Sequence, residues 1–247
     1  MQNELGLIAT LAVVSLVPFI VTTATCFIKI SIVLSLVRNA IGLQNVPSNM
    51  TLNGISLMLS MAVMCPIAQG VYAYLQHHPL DISDRTQLER FSTEGLGEYR
   101  EFLFRHTHPS LLAYFEGVST RLESQQAEGG VHEAEVGVLA GGARAGASDA
   151  AQARVTSTPL TPEDASLFAL LPAYALSELD DAFRMGFYLY LPFVVIDLVV
   201  SSVLLALGMM MMSPVSISIP IKLVLFIAMD GWSMLGRGLV DAYIAHP

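Results

Sequence analysis

Two ionisable side chains stand alone in strongly apolar surroundings: Asp197 within LPFVVIDLVV and Lys222 within SIPIKLVLF. A charge in such a setting is expensive, so each is a functional candidate by default, as a proton site or as one half of an ion pair. Asp197 shares a helical face with Ser201 and Gly208, at offsets of 4 and 11. If two helices met at Ser213 and Pro214, Asp197 would lie 16 residues before the turn and Lys222 8 after it. At 1.5 Å per residue the two would differ in height by about 12 Å. An ideal hairpin therefore keeps them apart, and a neighbouring subunit or a broken helix would be needed to join them. Between these charges Met209, Met210, Met211 and Met212 run consecutively into Ser213 and Pro214. Thioether side chains are flexible and fill irregular gaps. The run is either a helix end with core filler or a soft, deformable apolar loop. A second polar constellation, Asn49, Asn53, Ser56 and Ser60, has spacings of 4, 3 and 4. That places all four on one helical face, a stripe suited to helix packing more than to an ion path.

Other familiar chemistry is absent. No G-x-x-x-x-G-K-[ST] phosphate loop occurs; GGARAGA lacks the lysine. HEAEV at His132 lacks the second histidine of a zinc protease. His77, His78, His106 and His108 lie in polar surroundings and read as surface histidines. Cys26 and Cys65 are flanked by apolar residues and read as packing thiols, neither nucleophiles nor a disulfide. No catalytic triad can be assembled. The expectation is a protein that is not an enzyme and holds no cofactor or metal.

The elements that must carry these residues are membrane-like. Of 247 residues 53% are hydrophobic and 13% charged, and mean hydropathy is +0.58; soluble domains carry about 25% charged residues. Apolar runs cover residues 5–27, 55–75, 187–212 and 215–229. The first three reach the roughly 20 residues a spanning helix needs, and the fourth is short. It can be extended to Leu239 only by admitting Asp230 and Arg237. The first run is not read as a cleaved signal, because no basic residue precedes it and no A-x-A site follows. Pro18, Pro66, Pro192, Pro214 and Pro220 interrupt the runs, and each favours a kink or break. Lys29 and Arg38 fall between the first two runs, which would make that connection cytoplasmic.

The net charge of −9 is concentrated: residues 76–172 hold 14 of the 21 acidic and 7 of the 12 basic residues. No basic patch suits nucleic acid. Leu96, Tyr99 and Leu103 lie near one face of LGEYREFLFRH, an amphipathic helix. Residues 124–165 are rich in Ala, Gly, Ser and Thr and read as a disordered loop. In FALLPAYALSELDDAFRMGFYLYLPF, Leu171, Tyr174, Leu179 and Phe183 are placed for packing, with Glu178, Asp180, Asp181 and Arg184 in water. Four segments follow: a first helical hairpin (1–75), a small helical extramembrane region (76–123), the loop (124–165) and a second helical hairpin carrying the methionines (166–247).

Two long blocks carry a resemblance. TCFIKISIVLSLVRNAIGLQNVPSNMTLNGISLMLSM and FALLPAYALSELDDAFRMGFYLYLPFVVIDLVVSSVLLALGMMMMSPVSISIPIKLVLFIAMDGWSMLGRGLV resemble the FliP/SctR family, the R subunit of the type III secretion export gate. GLQNVPSN and GMMMMSPVSISIPIKLVLF are similar to its virulence (injectisome) branch, near the SpaP type. The loop lies outside both blocks. The resemblance implies an all-α, polytopic membrane protein of kinked helical hairpins. It implies five copies assembling with S and T subunits into a helical, cone-like gate in the bacterial inner membrane, much of it on the periplasmic side. Partners would be the export proteins U and V and the unfolded secretion substrates in its central channel. It assigns Met209, Met210, Met211 and Met212 to the pore gasket, and Asp197, Lys222 and Glu178 to buried charge serving assembly between subunits. The competing reading is a stand-alone secondary transporter or ion channel with Asp197 as its proton site.

Overall fold

The computed structural model describes residues 22–43, 46–78, 90–129, 165–209 and 212–244, with positions 11, 15, 19, 87, 161 and 162. Most of the first apolar run and of the Ala/Gly-rich loop lies outside the described residues, as do Met210 and Met211. Among the described residues there are helices and turns and no strand. The helices are α1 (Phe27–Ile41), α2 (Asn49–His77), α3 (Gly97–Arg105), α4 (Pro109–Gly129), α5 (Leu167–Ala206), α6 (Pro214–Ala228) and α7 (Gly231–Ile244). A single π-helical turn, Phe91–Gly95, leads into α3.

By length and composition α2 and α5 can each cross a membrane. The pair α6 and α7 passes the same test together but is bent by 61°. Asp230, in the left-handed region at φ 53°, sits at that bend. The short fourth run is thus extended, as its composition allowed, but as a broken element. The described prolines do not break their helices. Pro66 and Pro220 lie inside continuous helices, and Pro192 lies within α5. Pro214 occupies the first turn of α6, where the missing N–H has no intrahelical partner in any case. Pro18 lies outside the described residues.

The chain divides into two compact units, one of residues 1–66 and 178–247 and one of residues 67–177. In the second, Leu103, Leu112, Leu170, Ala173 and Tyr174 form the buried core, with Tyr99 and Phe102 packed against it. The amphipathic helix expected around Leu103 is α3, and burial pushes the Tyr99 phenol above its ordinary range. Helix ends here are tied by side chains from distant sequence. The Ser166 N–H donates to Glu116 Oε1 at 2.7 Å, and the His108 N–H donates to Ser177 Oγ at 2.8 Å. Each satisfies a donor that a helix start leaves without an intrahelical partner.

The first unit holds α1, α6, α7 and parts of α2 and α5. Its innermost element is α1, where Ile30, Val33, Leu34, Val37, Ala40 and Ile41 are buried. Lys29 and Arg38 are buried as well, so residues 27–41 are a packed helix and not a charged loop. The two charges used to orient the first connection therefore carry little weight for topology. Gly186 of α5 lies directly against Leu36 of α1, so closely that a Cβ there would collide with it. Of the two cysteines, Cys26 is buried and Cys65 is exposed, which corrects the expectation of two packed thiols.

Candidate functional site

The polar residues flagged in the apolar segments converge on α1 from three directions. From α2, Asn49, Asn53, Ser56 and Ser60 face residues 25–38. Arg38 Nη1 donates to Asn49 Oδ1, and also to the Pro47 carbonyl at 3.1 Å. Ser31 Oγ donates to Asn53 Oδ1 at 3.3 Å. Ser60 Oγ donates to Thr25 Oγ1 at 3.2 Å and accepts from the Cys26 thiol. Ser56 is buried and returns its hydroxyl to the Leu52 carbonyl of its own helix. Small side chains on this face let α2 approach α1, and hydrogen bonds replace those the backbone and hydroxyls would make with water.

From α5 comes Glu178, which is fully buried. The expectation that it stays in water is wrong. Lys29 Nζ lies 3.2 Å from its Oε1 and 3.1 Å from Asp181 Oδ2. The Tyr243 hydroxyl, from α7, donates to its Oε2. The Lys29 ammonium also sits 4.8 Å from the centre of the Tyr243 ring. A carboxylate removed from water must be paired and hydrogen-bonded, and both oxygens of Glu178 are used. Glu178 reads as wet in sequence because it stands in the charged run SELDDAFR. It is buried because its face of α5 turns toward α1 and α7.

The third direction is the α5–α6 pair. Lys222 is buried, and its ammonium lies 2.6 Å from Asp197 Oδ2 and 3.2 Å from the Ala40 carbonyl of α1. Asp197 and Lys222 therefore meet within one chain, against the height argument. The reason is where α5 stops. It ends at Ala206 and not at Ser213. Asp197 is thus 9 residues from the helix end and Lys222 8 from Pro214, about 13 Å and 12 Å of rise. Seven residues, 207–213, separate the two helices.

Gly208, at φ 72°, closes α5. Its N–H donates to the Leu205 carbonyl at 3.0 Å, and the Met209 N–H donates to the Leu204 carbonyl at 3.0 Å. This is the paired C-terminal capping pattern that a left-handed glycine permits. Met209 and Met212 are exposed, and the Met212 N–H donates to the Met209 carbonyl at 3.4 Å. Met209 and Met212 thus lie beyond the end of α5; Met210 and Met211 lie outside the described residues.

Lys29, Arg38, Asp181 and Tyr243 complete these contacts and were not singled out as site residues from sequence. Lys29 in TCFIKISIV carried the same signal as Lys222 in SIPIKLVLF, a lone cation in an apolar run. Among the described residues no group of three or more His, Cys, Asp or Glu comes together. What the arrangement supplies is charge pairing that fixes the helices around α1.

A helical membrane protein with buried ion pairs and an apolar turn between two helices is the class these features define. A family model described as FliP family matches residues 10–239. "Surface presentation of antigens protein SpaP" of Salmonella typhimurium is 50% identical over 244 residues, 99% of this chain and 98% of that protein. The protein of the same name from Shigella flexneri is 48% identical over the full length of both chains. "Yop proteins translocation protein R" of Yersinia pestis is 38% identical over 98% of each. The chain belongs to the FliP/SctR family of the type III secretion export apparatus, and it is an inner-membrane component of that apparatus.

Proposed function

We propose that this chain is a channel-forming subunit of the export gate, through which unfolded protein substrates cross the inner membrane. Five copies assemble with S and T subunits into a helical, cone-like particle, much of it on the periplasmic side, which meets the export proteins U and V. The chain supplies a path and not a catalyst, and it uses no cofactor. Met209, Met210, Met211 and Met212 close the resting channel: soft thioethers part around varied substrates and repack afterwards. The single observation that most supports this is the placement of the methionine run at the turn between two helices, beyond a glycine-capped end. Asp197, Lys222 and Glu178 serve assembly indirectly. Each pairs within its own chain, and the pairs hold the shape one copy presents to the next. The ion pair of Asp197 with Lys222 also weakens the reading of Asp197 as the proton site of a stand-alone transporter.

The test is co-expression with the S and T partners, extraction in mild detergent and native mass spectrometry. A particle holding five copies of the 26.7 kDa chain is expected. A monomer or dimer that ignores those partners would overturn the reading.

A further inference from the structure

An apolar groove of about 420 Å³ runs between α1, α5 and α7, lined among others by Val33, Val37, Met185, Pro192, Leu235 and Gly238. Its three walls are continuous helical faces. Lys29, Val33 and Val37 are spaced by four on α1. Glu178, Asp181, Met185, Tyr188 and Pro192 are spaced by three and four on α5, and Leu235, Leu239 and Tyr243 by four on α7. One end therefore abuts the Lys29, Glu178, Asp181 and Tyr243 cluster. The other is bordered by Phe193 and Phe226, whose ring centres lie 6.3 Å apart.

The end beside the cluster is a boundary of charge. Asp180, Asp181 and Arg184 stand within one turn of α5; Asp180 and Arg184 are exposed, and the Asp181 side chain is 30% exposed. From Met185 to Ile196 there is no charge at all. The groove thus begins where α5 passes from a water-compatible to a hydrocarbon-compatible surface. It continues from Met185 to Phe193 for about 12 Å, most of the roughly 15 Å depth of one leaflet. In a membrane component the occupant available at solvent concentration along that stretch is an acyl chain. The mixed mouth suits a zwitterionic head: an ammonium at the carboxylates and a phosphate at the guanidinium.

We propose that this groove is a structural phospholipid site. It takes one acyl chain of a phosphatidylethanolamine, with the head held by Asp180, Asp181 and Arg184. The site extends beyond the export reading and does not depend on the methionine gasket, so either can fail alone.

The probe is an equimolar mixture of phosphatidylethanolamine and phosphatidylglycerol in nanodiscs. The full chain is released into mild detergent, and retained lipid is counted by native mass spectrometry. One phosphatidylethanolamine per chain is expected. Gly238 lines the groove and has open space where a Cβ would stand. Gly238→Phe should therefore fill the groove and lower the lipid-bound fraction about tenfold. Gly236→Phe, equally unobstructed but outside the lining, should leave the fraction unchanged. Asp180→Asn should weaken the preference for phosphatidylethanolamine, because the carboxylates read its ammonium while both lipids carry the phosphate. Met234→Trp fills the same groove from an exposed position, should Gly238→Phe not fold. Retention by both groove-filling variants at the wild-type level overturns the site, and equal retention of the two lipids by the wild type overturns the head assignment. A lipid-free wild type whose self-association is abolished by Gly238→Phe would show instead that a second copy occupies the groove.

Discussion

Lys29 and Lys222 illustrate two strengths of the same device. Glu178 is wholly buried and holds Lys29 with both side chains out of water. Removing one partner of such a pair leaves an uncompensated buried charge, which costs about 3–5 kcal/mol. Lys29→Ala should therefore lower the detergent unfolding temperature sharply. The double change Lys29→Met with Glu178→Gln should restore most of it, because the carboxylate that then loses its cation, Asp181, is 30% exposed and reaches water; thermal unfolding followed by size-exclusion chromatography reads both. Asp197 is 45% exposed, so Lys222→Ala strands a half-solvated carboxylate and costs only about 1 kcal/mol. Its larger effect should be on the yield of oligomer, since the bond from Lys222 to the Ala40 carbonyl ties the α5–α6 pair to α1. Unchanged oligomer yield would remove the assembly role. Lone charges in apolar runs were legible in sequence. Their partners were not, because Lys29 and Glu178 are 149 positions apart and nothing local connects them.

At the scale of elements, two glycines separate steric from conformational demand. Gly186 faces Leu36 across the α1–α5 contact with no room for a Cβ. Gly186→Leu should force the helices apart and cost about 1–3 kcal/mol by overpacking. Gly208 has open space around it but a left-handed backbone. Gly208→Ala should cost about 1 kcal/mol through the backbone alone. Because it caps α5, it should also change the export of substrates more than its stability loss suggests. Parallel unfolding and secretion measurements distinguish the two glycines, and equal behaviour would refute the capping argument. Apolar runs marked α2 and the second half of α5 in sequence, since length and hydropathy are local properties. The buried character of α1 was hidden because Lys29 and Arg38 resemble loop charges until their partners are known. The continuation of α5 back to Leu167 was hidden because its first turns pack on soluble-type residues such as Leu103. The break at Met229 and Asp230 lies away from every proline, so turn chemistry alone did not mark it.

For the whole molecule, the methionine connection makes a claim about permeability. Replacing Met209, Met210, Met211 and Met212 together by Gly should leave the assembled particle intact but let small dyes cross vesicles that contain it. Tight vesicles would refute the gasket. Five-fold assembly was suggested by the resemblance alone and by no single residue. The division of the chain adds a consequence in time. The unit around α1 is built from residues 1–66 and 178–247, with residues 67–177 folded as a separate body between its halves in sequence. Synthesis delivers about 5–20 residues per second. Lys29 therefore leaves the ribosome roughly 7–30 s before Glu178 exists to neutralise it. For that interval α1 is an orphan cationic helix at the insertion machinery, and biogenesis of each copy is gated by the emergence of α5, long before any neighbour is met.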